Sequence, residues 1–177
     1  MPLLNLQFKT MKKLVFFLCL IAVAGCAQAQ TTFTPPPAIP AYRILKPDST
    51  YTSYTDLNKH KPVMIIYFSP DCSHCQHLMH EMKPYMKQFK NIQVVMITFT
   101  RIEFPYLRLL KDFSRDFELG KYPNFTVGTE YPTYKTQQYY HVSTTPYIAL
   151  YDKNGKPAHY YEKAPKIEEL VAEVKKL

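Results

Sequence analysis

The chain has 177 residues, 46% hydrophobic and 20% charged, with four cysteines, 15 tyrosines and no tryptophan. That composition excludes an intrinsically disordered chain and a cysteine-stapled mini-protein, and the length suits one domain rather than two large ones. The net charge is +8, or +5 (19 Lys+Arg against 14 Asp+Glu) once Lys9, Lys12 and Lys13 of the N-terminal segment are set aside; the charges interleave, so no nucleic acid is expected as partner.

Met11-Lys12-Lys13 followed by Leu14 to Ala24 has the charged and apolar regions of an export signal, with Met11 as the expected start. The apolar run is too short for a membrane span, and no second one follows. Two cleavage readings compete. Val23-Ala24-Gly25-Cys26 resembles a bacterial lipobox, in which Cys26 becomes the lipidated first residue; Ala27-Gln28-Ala29 resembles an ordinary signal-peptidase site. The lipobox is preferred, because small residues precede a cysteine at the end of the apolar region. Residues 1–26 are therefore expected to be the export signal, and the domain to lie outside the cytoplasm, held to a bacterial membrane by lipid. Residues 27–41 contain Pro35-Pro36-Pro37, which favours extended polyproline backbone and suits a tether. The folded unit is placed at 42–177.

Val63 to Phe68 is a continuous apolar run and predicts a strand buried on both faces. Over 72–89 the pattern changes: Cys75, Leu78, Met79, Met82, Met86 and Phe89 fall on one helical stripe, with a kink or break expected at Pro84. Ile92 to Phe99 returns to strand character, and strand–helix–strand of this size is a right-handed βαβ unit with parallel strands. Phe104 to Phe117 predicts a helix. Residues 121–141 are Tyr-rich and receive no assignment. The long connection from Arg101 to Thr144 is expected to hold partner specificity. Tyr147 to Tyr151 and Ala158 to Glu162, joined by Asp152-Lys153-Asn154-Gly155, predict a hairpin. A last helix begins at Pro165, with Ile167, Leu170, Val171, Val174 and Leu177 on one face. The expected fold is α/β, a mixed central sheet of four to five strands flanked by helices.

Cys72-Ser73-His74-Cys75 falls where the buried strand becomes the helix. A spacing of three brings both thiols to one face at disulfide-compatible separation. At a helix N-terminus, unpaired N–H groups and the macrodipole stabilise a Cys72 thiolate. Cys72 is therefore the expected nucleophile and Cys75, one turn deeper, the resolving thiol. A protonated His74 beside Cys72 would lower its pKa further, while Asp71 would act the other way unless it turns to solvent. The competing reading is a metal site. Structural zinc needs more spaced ligands than His77 and His80 offer on the same helix, and Cys19 and Cys26 lie in the signal or carry lipid; transient Cu(I) binding by His77 and His80 with Cys72 and Cys75 remains an alternative. Met79, Met82 and Met86 are read as core, and the tyrosines between Tyr122 and Tyr161 as half-buried sheet and rim.

The segment FSPDCSHC after a buried strand, and STTPYIALYDKNGK later, resemble a thioredoxin-fold domain across roughly 42–177. The resemblance implies a cis Pro146 packed beside the CxxC, with Thr145 and Pro146 binding an extended substrate segment. Within that superfamily, Tyr140-His141-Val142 with Thr145-Pro146 and Gly155 looks like exported TlpA/ResA-type thiol-disulfide oxidoreductases. It implies protein thiols and disulfides as substrates, an unidentified redox partner, and no cofactor beyond the Cys72–Cys75 pair. Three departures stand out. No Trp precedes Cys72, and the two acids that shuttle protons in thioredoxins and ResA-like proteins are replaced here by Ile66 and Leu78. His74 stands where the DsbA motif has its His, so the direction of electron flow is left open. A copper-binding or thiol-partner chaperone using the same cysteines is the alternative function.

Overall fold

The structure, a computed structural model, describes residues 37–103 and 106–177. Residues 1–36, and with them the expected signal, the lipobox, Cys19, Cys26 and most of the tether, lie outside the described residues, as does Phe104. Among the described residues, no helix is long and apolar enough to cross a membrane.

The sheet has seven strands, not four to five: β1 (Arg43–Leu45), β2 (Tyr51–Ser53), β3 (Val63–Phe68), β4 (Gln93–Thr98), β5 (Phe125–Thr129), β6 (Tyr147–Tyr151) and β7 (Pro157–Tyr161), in the spatial order β2-β1-β5-β4-β3-β6-β7. Among the described residues four α-helices accompany it: α1 (Ser73–Met82), α2 (Tyr106–Asp116), α3 (Lys135–Tyr140) and α4 (Ile167–Val174). β3, β4 and β5 are parallel, and every residue of β3 and β4 is buried. That is why both read as unbroken apolar runs: side chains of alternating direction all meet a core. On one face Met64, Ile66, Phe68, Val94 and Met96 pack against α1, α2 and α4. On the other, Val63, Ile65, Tyr67, Val95 and Ile97 pack against Tyr140 of α3 and Tyr42. β6 joins β3 antiparallel and turns through Gly155, at φ +74°, into β7.

The stripe on α1 is buried as expected, Met79 and Met82 included. Pro84 has no N–H to give the preceding turn. The α-helix ends at Met82, and Lys83–Phe89 tightens into a 3-10 segment that still delivers Met86 and Phe89 to the core.

The helix expected over Phe104–Phe117 is α2, and the stretch left without assignment contains β5 and α3, so the long connection is mostly regular structure. β5 hides because it carries Gly128. A Cβ there would stand 2.8 Å from the Leu45 carbonyl and 3.0 Å from the Ile44 side chain, so the close crossing of β1 removes the residue type that marks a strand. Of the tyrosines from Tyr122 to Tyr161, Tyr122, Tyr131, Tyr134, Tyr139 and Tyr160 are half-buried as expected, while Tyr140, Tyr147 and Tyr151, at most 3% exposed, belong to the core.

Candidate active site

The site is made by the end of β3. The strand stops at Phe68, Ser69-Pro70-Asp71 turns the chain, and Cys72 caps α1 with extended backbone (φ −79°, ψ 118°). Its own carbonyl already accepts from the Cys75 and Gln76 amides, each at 3.0 Å, and the Gln76 side chain donates to the Pro70 carbonyl at 2.9 Å, pinning the turn. Cys72 is half-buried and Cys75 is buried at 2% exposure; both are free thiols.

Their environments push the two sulfurs apart. Partial burial works against a Cys72 thiolate. Hydrogen bonding from the Thr145 and Cys75 side chains and from the Cys75 and His74 amides outweighs it, so the Cys72 pKa lies below the ordinary thiol value. Burial pushes Cys75 up to about 12, with the neighbouring Cys72 adding to the rise and the Ser69 backbone opposing it. Ile66 and Leu78, the apolar replacements noted in the sequence, are fully buried in the same core cluster as Cys75.

Thr145-Pro146 meets the motif from 70 residues away. The Thr145–Pro146 peptide is cis, and the Cys72 Sγ lies 3.5 Å from the Thr145 carbonyl. Beside it a groove of about 700 Å³ is lined by His74, Thr145, Pro146, Val142, Tyr67 and Phe99, among others. His74 thus touches the site twice, as an amide donor to Cys72 and as a groove wall. Asp71 is exposed and accepts from the Ser69 hydroxyl. The other helix histidines stay apart from the cysteines: His77 faces Glu81 at 3.5 Å, and His80 sets its ring edge against Phe117. Among the described residues, no group of three or more His, Cys, Asp or Glu side chains could hold a metal ion.

Sequence reasoning missed Glu130. Only 2% exposed, it accepts from the Tyr67 hydroxyl (2.9 Å) and from the Thr136 and Gln137 amides (2.7 and 3.1 Å). It fixes the ring that floors the groove, and Tyr67 also stacks on Phe99. The signal is a lone charge in the otherwise uncharged stretch 122–134, readable only once β5 is recognised.

A strand–CxxC–helix junction facing a cis-proline loop, on a mixed sheet between helices, defines the thioredoxin-like class. The sequence profile of the thioredoxin-like domain family matches residues 55–177, and the chain belongs to that family. Solved structures share the fold at low identity. A secreted Mycobacterium tuberculosis disulfide oxidoreductase homologous to E. coli DsbE is 18% identical, with 77% of this chain and 96% of that one covered and a TM-score of 0.63. A putative thioredoxin from Neisseria meningitidis is 21% identical (81% and 90% covered, TM-score 0.62). An exposed lipoprotein thioredoxin from Streptococcus pneumoniae is 20% identical (77% and 99% covered, TM-score 0.58). No curated protein matches the chain significantly in sequence.

Proposed function

We propose that this protein is an exported thiol-disulfide oxidoreductase of the TlpA/ResA kind, tethered through Cys26, which exchanges disulfides with protein cysteines. The observation that carries the reading is the split between two thiols on one helical turn: a half-exposed Cys72 with a lowered pKa and a buried Cys75 raised to about 12.

In the reducing direction the Cys72 thiolate attacks one sulfur of a substrate disulfide. An S–S bond forms between Cys72 and the substrate, and the displaced substrate thiolate takes up a proton. The Cys75 thiol then gives up its proton and attacks the Cys72 sulfur. The second substrate thiolate leaves, and the Cys72–Cys75 disulfide remains. Two electrons pass to the substrate, and the reverse sequence oxidises a dithiol. Thr145 and Pro146 hold the extended substrate backbone beside Cys72, and His74 borders the groove that receives its flanking side chains. The likeness of this fold to a secreted disulfide oxidoreductase and an exposed lipoprotein thioredoxin supports the extracytoplasmic setting.

Cys75→Ala removes the resolving thiol, so incubation with a disulfide-bonded protein should accumulate a covalent adduct through Cys72 that a reductant releases. A Cys75→Ala protein that forms no adduct while still folded would refute the exchange mechanism. The reduction potential of the Cys72–Cys75 pair then sorts reductant from oxidant.

A further inference from the structure

The end of the sheet opposite the dithiol carries unpaired positive charge. β3 runs from Val63 towards Cys72, so Lys61 precedes it at the far end. β6 pairs antiparallel, bringing Tyr151 beside Val63 and the turn containing Lys153 to that same end. β4 starts there too: the Gln93 amide donates to the Pro62 carbonyl at 2.8 Å, with Lys90 just before it. Six strand residues at about 3.3 Å each separate this end from the thiols.

Two adjoining concavities, of about 510 and 570 Å³, share Leu57, Asn58 and Lys61. Their walls hold five lysines, Lys59, Lys61, Lys87, Lys90 and Lys153, against one carboxylate, Asp56. Asp56 is occupied by the Ser53 amide and the Thr52 hydroxyl, and Asp152, in the adjacent turn, by the Asn154 and Lys156 amides. None of the five lysines forms an ion pair among the described residues. Elsewhere on the surface Lys46, Lys83, Lys121 and Lys176 each do, while Lys111, Lys135, Lys156, Lys163, Lys166 and Lys175 do not but line neither concavity. The gathering of five in one place, not their lack of partners alone, marks this end. Like charges that outnumber the acids beside them repel one another until a counter-charge arrives from outside.

The polypeptide enters the domain at this same end. The Ala38 carbonyl accepts from the Tyr139 and Tyr151 hydroxyls (2.7 and 3.0 Å), and Ile39 lines the larger concavity beside Lys61 and Lys153. Twelve residues separate Cys26 from Ala38, a reach of about 37 Å even as an extended polyproline helix. Tyr54, 45% exposed, lines that concavity too, and an amphipathic ring of this kind suits a headgroup layer.

The geometry points to this lysine-rich end as a docking surface for an anionic phospholipid bilayer, with the dithiol at the opposite end facing away from the lipid. The inference rests on the extracytoplasmic, Cys26-anchored reading above and adds the orientation in which the domain works. An anionic leaflet attracts each nearby lysine, and the short tether returns the same face to it.

The test uses the exported protein carrying Cys26→Ala, so that no lipid at that residue contributes. It is sedimented with vesicles of phosphatidylcholine alone or phosphatidylcholine with phosphatidylglycerol. Binding is expected only with phosphatidylglycerol and should vanish near 1 M salt, where the screening length falls to about 3 Å. Lys59→Gln/Lys153→Gln should lower the partition coefficient by about twenty-five-fold. Lys83→Gln/Lys121→Gln, which removes lysines already paired with Glu118, should leave it unchanged. Circular dichroism checks the fold of both. Equal binding to both vesicle types, insensitivity to Lys59→Gln/Lys153→Gln, or equal affinity for duplex DNA at the same salt would overturn the inference. Disulfide exchange measured on the same samples separates the outcomes: exchange without vesicle binding sinks only the docking surface, and binding without exchange sinks only the redox reading.

Discussion

Cys72 owes its character to where β3 ends. An extended residue at the mouth of a helix collects donors that a thiolate can accept from, here the Cys75 and His74 amides together with the Thr145 and Cys75 side chains. The sequence points to His74 as a neighbour of Cys72; the structure places its amide at the sulfur, and the residue lines the groove. Thr145 is the donor most open to substitution. Thr145→Val keeps the shape and removes the hydroxyl, which should raise the Cys72 pKa. The rate of iodoacetamide alkylation at pH 7 is then expected to fall about two- to tenfold, the worth of one hydrogen bond. An unchanged rate would show that the amides alone hold the thiolate.

At the scale of elements, the parts that form the candidate site are the parts most visible in sequence. β3, β4, β6 and the α1 stripe lie in chain segments whose periodicity is set by burial on both faces or on one stripe; Cys72 and Cys75 lie at the start of α1, and Thr145 and Pro146 just before β6. What stayed hidden has physical causes. β1 and β2 are three residues long, too short for a period to register. β5 surrenders a side chain at Gly128 to let Ile44 and the Leu45 carbonyl approach. Glu130 depends on Tyr67, 63 residues earlier, a partnership no local pattern displays. Gly128→Ala should therefore destabilise the protein by about 1–3 kcal/mol, since the backbone oxygen 2.8 Å from the new Cβ must move. A urea midpoint equal to wild type would mean that β1 yields freely.

For the whole molecule, the buried acids of the core set a stability limit in alkali. Burial raises Cys75 to about 12, Tyr161 to about 12, and Tyr67, Tyr140 and Tyr151 well above the ordinary phenol range. Groups whose folded pKa is raised hold protons that the unfolded chain has already lost between about pH 8.5 and 10. Their stabilisation is complete below that range and declines as pH climbs toward the folded values. The urea midpoint of the reduced protein is expected to fall steadily from pH 9 to 11. A flat profile would mean that these hydroxyls and the thiol ionise without unfolding.

The central claim is that Cys72 gives up its proton more readily than an ordinary thiol while Cys75, raised to about 12, keeps its own. Thiolate absorbance near 240 nm, followed through a pH titration of the reduced protein and of Cys72→Ser, tests it directly. The account predicts one inflection below the free cysteine value of about 8.5, missing in Cys72→Ser, with no second thiol ionising before pH 10. A first inflection at or above 8.5, or one that survives in Cys72→Ser, would contradict it.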